Sequence, residues 1–215
     1  TEEAMQTKTY AILAGGLTAL MLLALGGFVA VQRLSAPDLA AECNIGTVAG
    51  DIGGPFTLVS ETGETVTDAA VIDRPSLIYF GYTFCPDVCP LDTVRNAEAA
   101  DTLAERGFDV QPIFISVDPK RDTPEVLDAF TSNIHPDMLG LTGSPEQVRA
   151  ASQAYRTFYN AQDEDEDPYY LVDHSTFTYL VLPERGFSGL FRRELTGDQL
   201  ADRVQCVLET TGPGS

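Results

Sequence analysis

The chain begins with one long apolar run and then alternates between short apolar strands and capped helical segments. The run from Ala11 to Val31 contains no charged residue. At about 1.5 Å of rise per residue it can cross a hydrocarbon layer of about 30 Å. We expect a polar tail at residues 1–9 and a transmembrane helix at 10–33. A cleaved signal peptide is the alternative, but its apolar region is usually only about 7–15 residues long.

The segment after the anchor is expected to be a linker, and a folded domain to follow it. Residues 34–54 show little periodicity, so we assign them to the linker. The folded domain is assigned to residues 55–210, and a short C-terminal tail to residues 211–215. The domain opens with two short stretches of strand-forming residues that flank a turn with Gly63, which predicts a β-hairpin over Phe56–Ser60 and Thr65–Thr67.

Strand and helix patterns then alternate along the domain. The predicted strands are 76–82, 110–117, 138–141, 177–182 and 189–194. The predicted helices are 90–106, one that starts after Thr123, one from Ser144 to about Tyr159, and one from Thr196 to Glu209, the last three with capping residues. This alternation predicts an α/β fold with right-handed crossovers, a parallel central sheet and an antiparallel edge formed by the last two strands.

The charge of the chain limits its partners. It has 13 Lys and Arg residues against 32 Asp and Glu residues, a formal charge of −19. Such a surface argues against binding to nucleic acid or to anionic lipid headgroups.

Two cysteines follow the first buried strand, at the predicted start of a helix. Cys85 and Cys89 are separated by three residues, and a helix N-terminus favours the thiolate form of such residues. A cysteine pair at a strand-to-helix junction is the thioredoxin-type arrangement. The spacing allows a redox-active disulfide, and it also allows both sulfurs to bind one metal ion.

A histidine could complete a metal site. His174 precedes a predicted strand and is the better candidate, while His135 lies at a helix C-terminus and is expected to be a surface residue. The alternative for His174 is an ordinary loop or core residue. Asp87 between the cysteines either orients a ligand and tunes thiol acidity or is a solvated turn residue. Two thiolates and one imidazole suit monovalent copper, whereas a structural zinc site needs four donors.

The two remaining cysteines lie at opposite ends of the domain. Cys43 and Cys206 could form a structural disulfide, or they could be two unrelated buried thiols. We favour the disulfide as a hypothesis.

Four motifs together resemble the Sco/SenC family of copper-binding assembly factors for cytochrome c oxidase. They are Tyr82–Pro90, Ser116–Pro124, Leu141–Glu146 and Val172–Thr176, and the similarity runs from about Gly50 to Glu209. The resemblance implies a thioredoxin-like three-layer sandwich with a copper ion bound by Cys85, Cys89 and His174.

The resemblance also implies a function and a location. We expect a membrane-anchored copper chaperone that matures the dinuclear copper centre of cytochrome c oxidase, with the oxidase copper-bearing subunit as partner. Other periplasmic copper chaperones or thiol oxidoreductases are further partners to consider. The expected location is a bacterial inner membrane, with the N-terminus inside and the domain in the periplasm.

Other functions remain open at this point. The alternatives are a thiol–disulfide oxidoreductase that keeps the oxidase cysteines reduced, which would make the protein an enzyme, and a redox or copper sensor. A peroxidase is disfavoured because the sequence does not identify the Thr and Arg that such a site needs beside its thiol.

Overall fold

The structure is a computed structural model, and its chain divides into two compact units. It describes residues 15–18, 20–27, 39–47, 50–162 and 167–212. The units are Thr1–Asp38 and Leu39–Ser215.

In the first unit, the described residues 15–18 and 20–27 are helical and exposed. They lie inside the anchor predicted at 10–33, and the other residues of that anchor and the tail at 1–9 fall outside the described part. None of the described helices combines the length and the apolar character that crossing a membrane requires.

The second unit contains nine described strands and six described helices. The strands are β1 (Thr57–Ser60), β2 (Thr65–Thr67), β3 (Ser76–Gly81), β4 (Gln111–Ser116), β5 (Leu139–Thr142), β6 (Tyr159–Ala161), β7 (Val172–His174), β8 (Thr178–Leu182) and β9 (Gly186–Phe191). The helices are α1 (Leu39–Glu42), α2 (Asp68–Val71), α3 (Val88–Glu105), α4 (Pro124–Ser132), α5 (Pro145–Ala154) and α6 (Gly197–Thr211).

Seven strands form one mixed sheet in the order β2-β1-β5-β4-β3-β8-β9. The three central strands β5, β4 and β3 are parallel, whereas the β1–β2 hairpin and the β8–β9 pair are antiparallel edges. Gly63 has φ +83° in the hairpin turn, a conformation that glycine adopts without steric cost. The predicted hairpin and parallel centre are therefore confirmed.

Helices cover both faces of this sheet. Phe130 of α4 packs on Phe114 of β4 with ring centroids 4.9 Å apart. On the opposite face, Tyr155 after α5 packs on Phe80 of β3 at 5.4 Å. Helices α3 and α6 share a buried cluster with Leu77 of β3. Leu77 lies on the same face of the sheet as Phe114, because Phe114 pairs with Tyr79 and residues two apart in a strand point to the same face. The result is a three-layer α/β sandwich.

The predicted N-caps also form. The side-chain oxygens of Thr123, Ser144 and Thr196 accept hydrogen bonds from the backbone N–H groups three residues ahead, and the last two are full capping boxes. These caps fix where α4, α5 and α6 begin.

Part of the predicted linker packs on the domain. Leu39, Cys43 and Ile45 are buried, and the backbone of Gly46 exchanges two hydrogen bonds with Leu190 of β9. The folded unit therefore begins at Leu39. The prediction placed its start at residue 55, because three apolar side chains in one short helical turn and the loop after it carry no periodic signal.

Three boundaries in the C-terminal half differ from the prediction. Helix α5 ends at Ala154 instead of near Tyr159, because Arg156 adopts φ +50° and reverses the chain. Residues 159–161 are strand β6, which pairs with β7 in a separate two-stranded sheet. Strand β9 begins at Gly186, three residues before the predicted start at Gly189, and ends at Phe191 instead of residue 194.

Candidate metal centre

The candidate site lies beyond the carboxyl ends of the central parallel strands. Cys85 sits in the loop that joins β3 to α3, and Cys89 is in the first turn of α3. Gly81 at the end of β3 allows this approach: a Cβ there would meet the Cys89 sulfur at 3.1 Å and the Tyr79 ring at 2.9 Å. Both cysteines are free thiols and buried.

His174 is brought to the same place by the small sheet. It is the last residue of β7 and pairs with Tyr159 of β6. Its Nε2 lies 3.1 Å from the Sγ of Cys89. The ligand atoms of Cys85, Cys89 and His174 all lie within 4.8 Å of one another, so these three residues could hold one metal ion.

The imidazole is held in one tautomer. The Nδ1 of His174 lies 3.0 Å from the backbone oxygen of Ser175. A carbonyl oxygen can only accept, so Nδ1 carries the proton and donates it, which leaves the Nε2 lone pair facing Cys89. The rings of Tyr79 and Tyr82 meet the imidazole edge-on, with centroids 6.1 and 5.7 Å away.

The pKa values of the two thiols are shifted in opposite directions. Burial raises the pKa of the Cys89 thiol, whose side chain is fully enclosed. Burial also opposes ionisation of Cys85, but backbone N–H groups at the start of α3, led by that of Cys89 at 3.4 Å from its sulfur, lower its pKa below the ordinary value. Cys85 is therefore the more nucleophilic thiol at neutral pH.

Burial keeps the imidazole neutral. It lowers the pKa of His174 below its ordinary value, against the opposing effect of the hydrogen bond to Ser175. Neutral imidazole is the form that binds metal ions, so His174 can act as a ligand at neutral pH without first losing a proton.

A buried polar network supports the site and was not foreseen from the sequence. The hydroxyl of Tyr79 donates to the carboxylate of Asp92 at 3.0 Å, and Arg95 lies 3.6 Å from the same carboxylate. Arg95 also donates to Thr178 at 2.7 Å. These bonds fix the Tyr79 ring beside His174. The sequence did contain one signal for this network: Asp92 and Arg95 are three residues apart on a helix that must also pack against the sheet.

The other candidate residues lie elsewhere. His135 pairs with Asp101 of α3 at 3.1 Å and is not in the donor group found among the described residues. The side chain of Asp87 is exposed and makes no capping bond, whereas its backbone N–H lowers the pKa of Cys85. Cys43 and Cys206 form a disulfide, with Cα atoms 5.5 Å apart, that joins the end of α1 to α6.

Comparison with known proteins identifies relatives over most of the chain. The SCO1/SenC family model matches residues 46–209. Protein SenC of Rhodobacter capsulatus is 51% identical over 208 residues, which cover 95% of this chain and 92% of that protein. The mitochondrial Protein SCO1 homolog 1 of Arabidopsis thaliana is 42% identical over 71% of this chain, and the match spans 46% of that protein.

Solved structures show the same similarity. The crystal structure of yeast Sco1 with copper bound is 35% identical, with a TM-score of 0.71 over 77% of this chain and 92% of that one. The structure of BsSco, described as a member of the Sco family of cytochrome c oxidase assembly proteins, is 26% identical, with a TM-score of 0.60 over 76% of this chain and 96% of that one. The resemblance seen in the four motifs is thus confirmed, and the chain belongs to the SCO1/SenC family.

Proposed function

We propose that this chain is a membrane-anchored copper chaperone that matures the dinuclear copper centre of cytochrome c oxidase. The observation that carries the proposal is the convergence of two thiols and one imidazole nitrogen within 4.8 Å. The copper bound in yeast Sco1 and the assembly role of the Sco family support it.

The donor set favours copper over zinc. Sulfur ligands suit monovalent copper, and a trigonal set of two thiolates and one imidazole satisfies it. A structural zinc site is closed by four protein ligands, and the donor group among the described residues has three.

Copper is the cargo of this site. Cys85 keeps 8% of its surface exposed while Cys89 has none. An incoming ligand of the acceptor protein therefore reaches the Cys85 side first, and we expect ligand exchange to begin with release of the Cys85 thiolate.

An apolar surface around the centre supports docking of the oxidase copper-bearing subunit. We call it the apolar rim; its exposed side chains are Phe84, Leu91, Phe158, Tyr169 and Leu171. These residues lie on the segments that carry or flank the three metal ligands. The exposed carboxylates of Asp87, Asp167 and Asp173 lie on the same segments, which favours a partner with basic residues around its own copper site.

The rim can be tested without changing a ligand. Leu91→Glu should slow copper transfer to the purified copper-binding domain of the oxidase subunit and leave copper affinity unchanged. Equal rates of copper transfer from the wild type and from Leu91→Glu would contradict the docking proposal.

The proposed location is the periplasmic side of a bacterial inner membrane, with an anchor at residues 10–33. The disulfide between Cys43 and Cys206 supports it, because such bonds persist in oxidising compartments and are rare in the cytosol. Fractionation of cells that express the full chain, with protease added to spheroplasts, tests this location: a domain protected from the protease would contradict it.

The copper titration of His174→Ala is the main test. Loss of one of three ligands should weaken Cu(I) binding at least 100-fold, measured by competition with a chromophoric chelator. His135→Ala is the matched control, since His135 pairs with Asp101 outside the donor group, and it should bind like the wild type. Unchanged affinity in His174→Ala would contradict the proposed site.

A thiol–disulfide oxidoreductase is the second candidate function. The pKa of Cys85, which is lowered from its ordinary value, beside a buried partner thiol favours it, because attack requires a thiolate. The same variant distinguishes the two functions: a reductase keeps its turnover of a disulfide substrate in His174→Ala, whereas a chaperone loses copper affinity.

A further inference from the structure

The loop between β4 and α4 contacts both segments that carry the metal ligands. This loop, Val117–Thr123, contains most of the second resemblance motif, and the proposed function does not yet use it. It leaves the sheet beside the cysteine loop because β3 and β4 are parallel neighbours, and the N–H of Val117 donates to the backbone oxygen of Gly81 at 2.8 Å.

One side of the loop holds the cysteine segment. Asp122 is fully buried, and its carboxylate accepts bonds from the backbone N–H of Thr83 at 3.0 Å and from the Thr83 hydroxyl at 2.6 Å. Ser116 donates a third bond at 2.6 Å. Thr83 is two residues before Cys85, so this carboxylate fixes the start of the cysteine loop.

The other side of the loop holds the histidine segment. The buried carboxylate of Asp118 accepts a bond from the hydroxyl of Tyr170 at 2.5 Å and pairs with the Nε of Arg121 at 2.5 Å. The guanidinium of Arg121 lies over the Tyr170 ring, 3.6 Å from its centroid. Tyr170 is four residues before His174 and leads directly into β7.

Arg121 also reaches across to the cysteine segment. Its guanidinium carbon is 4.7 Å from the ring centroid of Phe84, the residue before Cys85. The Nη1 and Nη2 atoms are buried and have no hydrogen-bond partner in the part of the chain that the structure describes. Beyond its ion pair, the described contribution of Arg121 is therefore the contact of its planar guanidinium with aromatic rings of both segments, and lysine has no planar group to make that contact.

We propose that loop 117–123 is a positioning element that sets the distance between the cysteine pair and His174. Asp122 holds one segment, Asp118 holds the other, and Arg121 stacks against both. The inference rests on the proposed metal site, because its effect is expressed through the geometry of the ligands.

A double-mutant cycle on Cu(I) affinity tests whether Arg121 acts through His174. In the wild-type background, Arg121→Met should weaken binding about 10- to 100-fold, the range for loss of a group that orients a metal ligand. In the His174→Ala background the same change should have almost no effect, since there is no imidazole left to position. Arg121→Lys should behave like Arg121→Met.

The control is the same arginine-to-methionine substitution at a position far from the metal site. Arg74 precedes β3 at the opposite end of the sheet and pairs with Asp109, so Arg74→Met should leave affinity unchanged in both backgrounds. Tyr170→Phe, which removes only one hydroxyl, covers the case in which Arg121→Met fails to fold. It should weaken binding in the wild-type background alone.

The outcomes separate this inference from the proposed function. If Arg121→Met weakens binding equally in both backgrounds, or in neither, the positioning role is wrong while the metal site stands. If the wild type binds no Cu(I), or if His174→Ala binds like the wild type, the proposed function itself is wrong.

The cysteine side of the loop has its own test. Thr83→Ala removes the hydroxyl bond to Asp122, whereas Thr83→Ser keeps it. We expect Thr83→Ala to shift the reduction potential of the Cys85–Cys89 pair and to weaken Cu(I) binding about tenfold, and Thr83→Ser to restore both. Identical potentials in the two variants would overturn this part of the proposal.

Discussion

At the residue scale, metal binding by this site should depend on proton release. Cys89 is a thiol across the neutral range because burial raises its pKa, and only its thiolate can bind a metal ion. His174 is already neutral because burial lowers its pKa, and its Nε2 has no proton to release when a metal ion binds. Binding therefore has to remove at least the proton of Cys89.

The expected result is a Cu(I) affinity that rises at least about tenfold per pH unit between pH 7 and pH 9, since at least one proton is released on binding. The direction follows from the raised pKa of Cys89 in the metal-free protein. Below that pKa the protonated thiol dominates, so each unit of increase in pH makes it easier for the metal ion to displace the thiol proton. Chelator competition at pH 7, 8 and 9 measures the slope, with the pH dependence of the chelator itself as the control. A flat profile would show that Cys89 is already ionised in the free protein.

The sequence predicted the three converging residues but not the side chains that hold them. Cys85, Cys89 and His174 are rare residue types, so a motif makes them visible. Asp92 and Arg95 carry ordinary charges within a helix, and a solvated face is the usual position for such residues. Their burial depends on the packing of α3 against the sheet, which only the fold reveals.

At the element scale, the short β6–β7 sheet controls where His174 lies. The sequence predicted a helix through Tyr159 because capped helical periodicity continued up to that residue. Two strands of three residues each are too short to show the alternation that indicates a strand. The missed pairing is the one that brings the imidazole to the sulfurs.

Weakening this sheet should weaken the metal site without changing a ligand. Asn160 of β6 pairs with Asp173, the residue before His174. Proline at this position lacks the N–H of a strand residue and strains the pairing, so Asn160→Pro should lower Cu(I) affinity about tenfold or more. Chelator competition measures this loss.

A matched substitution distinguishes the loss of β6–β7 pairing from the loss of the Asn160 side chain. Asn160→Thr keeps the backbone N–H and should bind copper like the wild type, because threonine is a good strand residue. Thiol titration of Cys85 and Cys89 should be the same in both variants. If Asn160→Pro binds as tightly as Asn160→Thr, then β6 does not control the position of His174.

At the scale of the whole molecule, the disulfide joins the start of the folded unit to its last helix. Cys43 and Cys206 are 163 residues apart in the chain. Closing so long a loop in the unfolded chain stabilises the folded state by about 5 kcal/mol in the chain-entropy description, before any compensating losses. The proposed metal centre uses the other two cysteines, so loss of the disulfide should lower the stability of the fold without changing its affinity for copper.

The double variant Cys43→Ala/Cys206→Ala should unfold at a lower urea concentration than the oxidised wild type. We expect its free energy of unfolding to fall by as much as about 5 kcal/mol, while the Cu(I) affinity of the folded fraction stays the same. The single variant Cys43→Ala should lose as much stability as the double one, since one sulfur cannot form the bond. A folded double variant that has lost copper affinity would instead link the disulfide to the metal centre.

The sequence predicted the seven strands of the main sheet and the four longer helices in their correct order, because caps, turns and apolar runs are local signals. It placed the start of the folded unit too late, since Leu39, Cys43 and Ile45 become buried only by contact with α6 and β9. Such a contact joins distant parts of the chain, and the short segment that makes it is too brief to show a periodic pattern.

The disulfide also determines how the oxidised protein carries mechanical load. Tension applied at the two chain ends passes from residue 43 to residue 206 through one sulfur–sulfur bond. The proposed copper ligands and the central sheet lie inside the closed ring of chain, away from that path. A pull between the two ends can therefore extend only the segments outside the ring, and the copper-binding fold is bypassed until the bond is reduced.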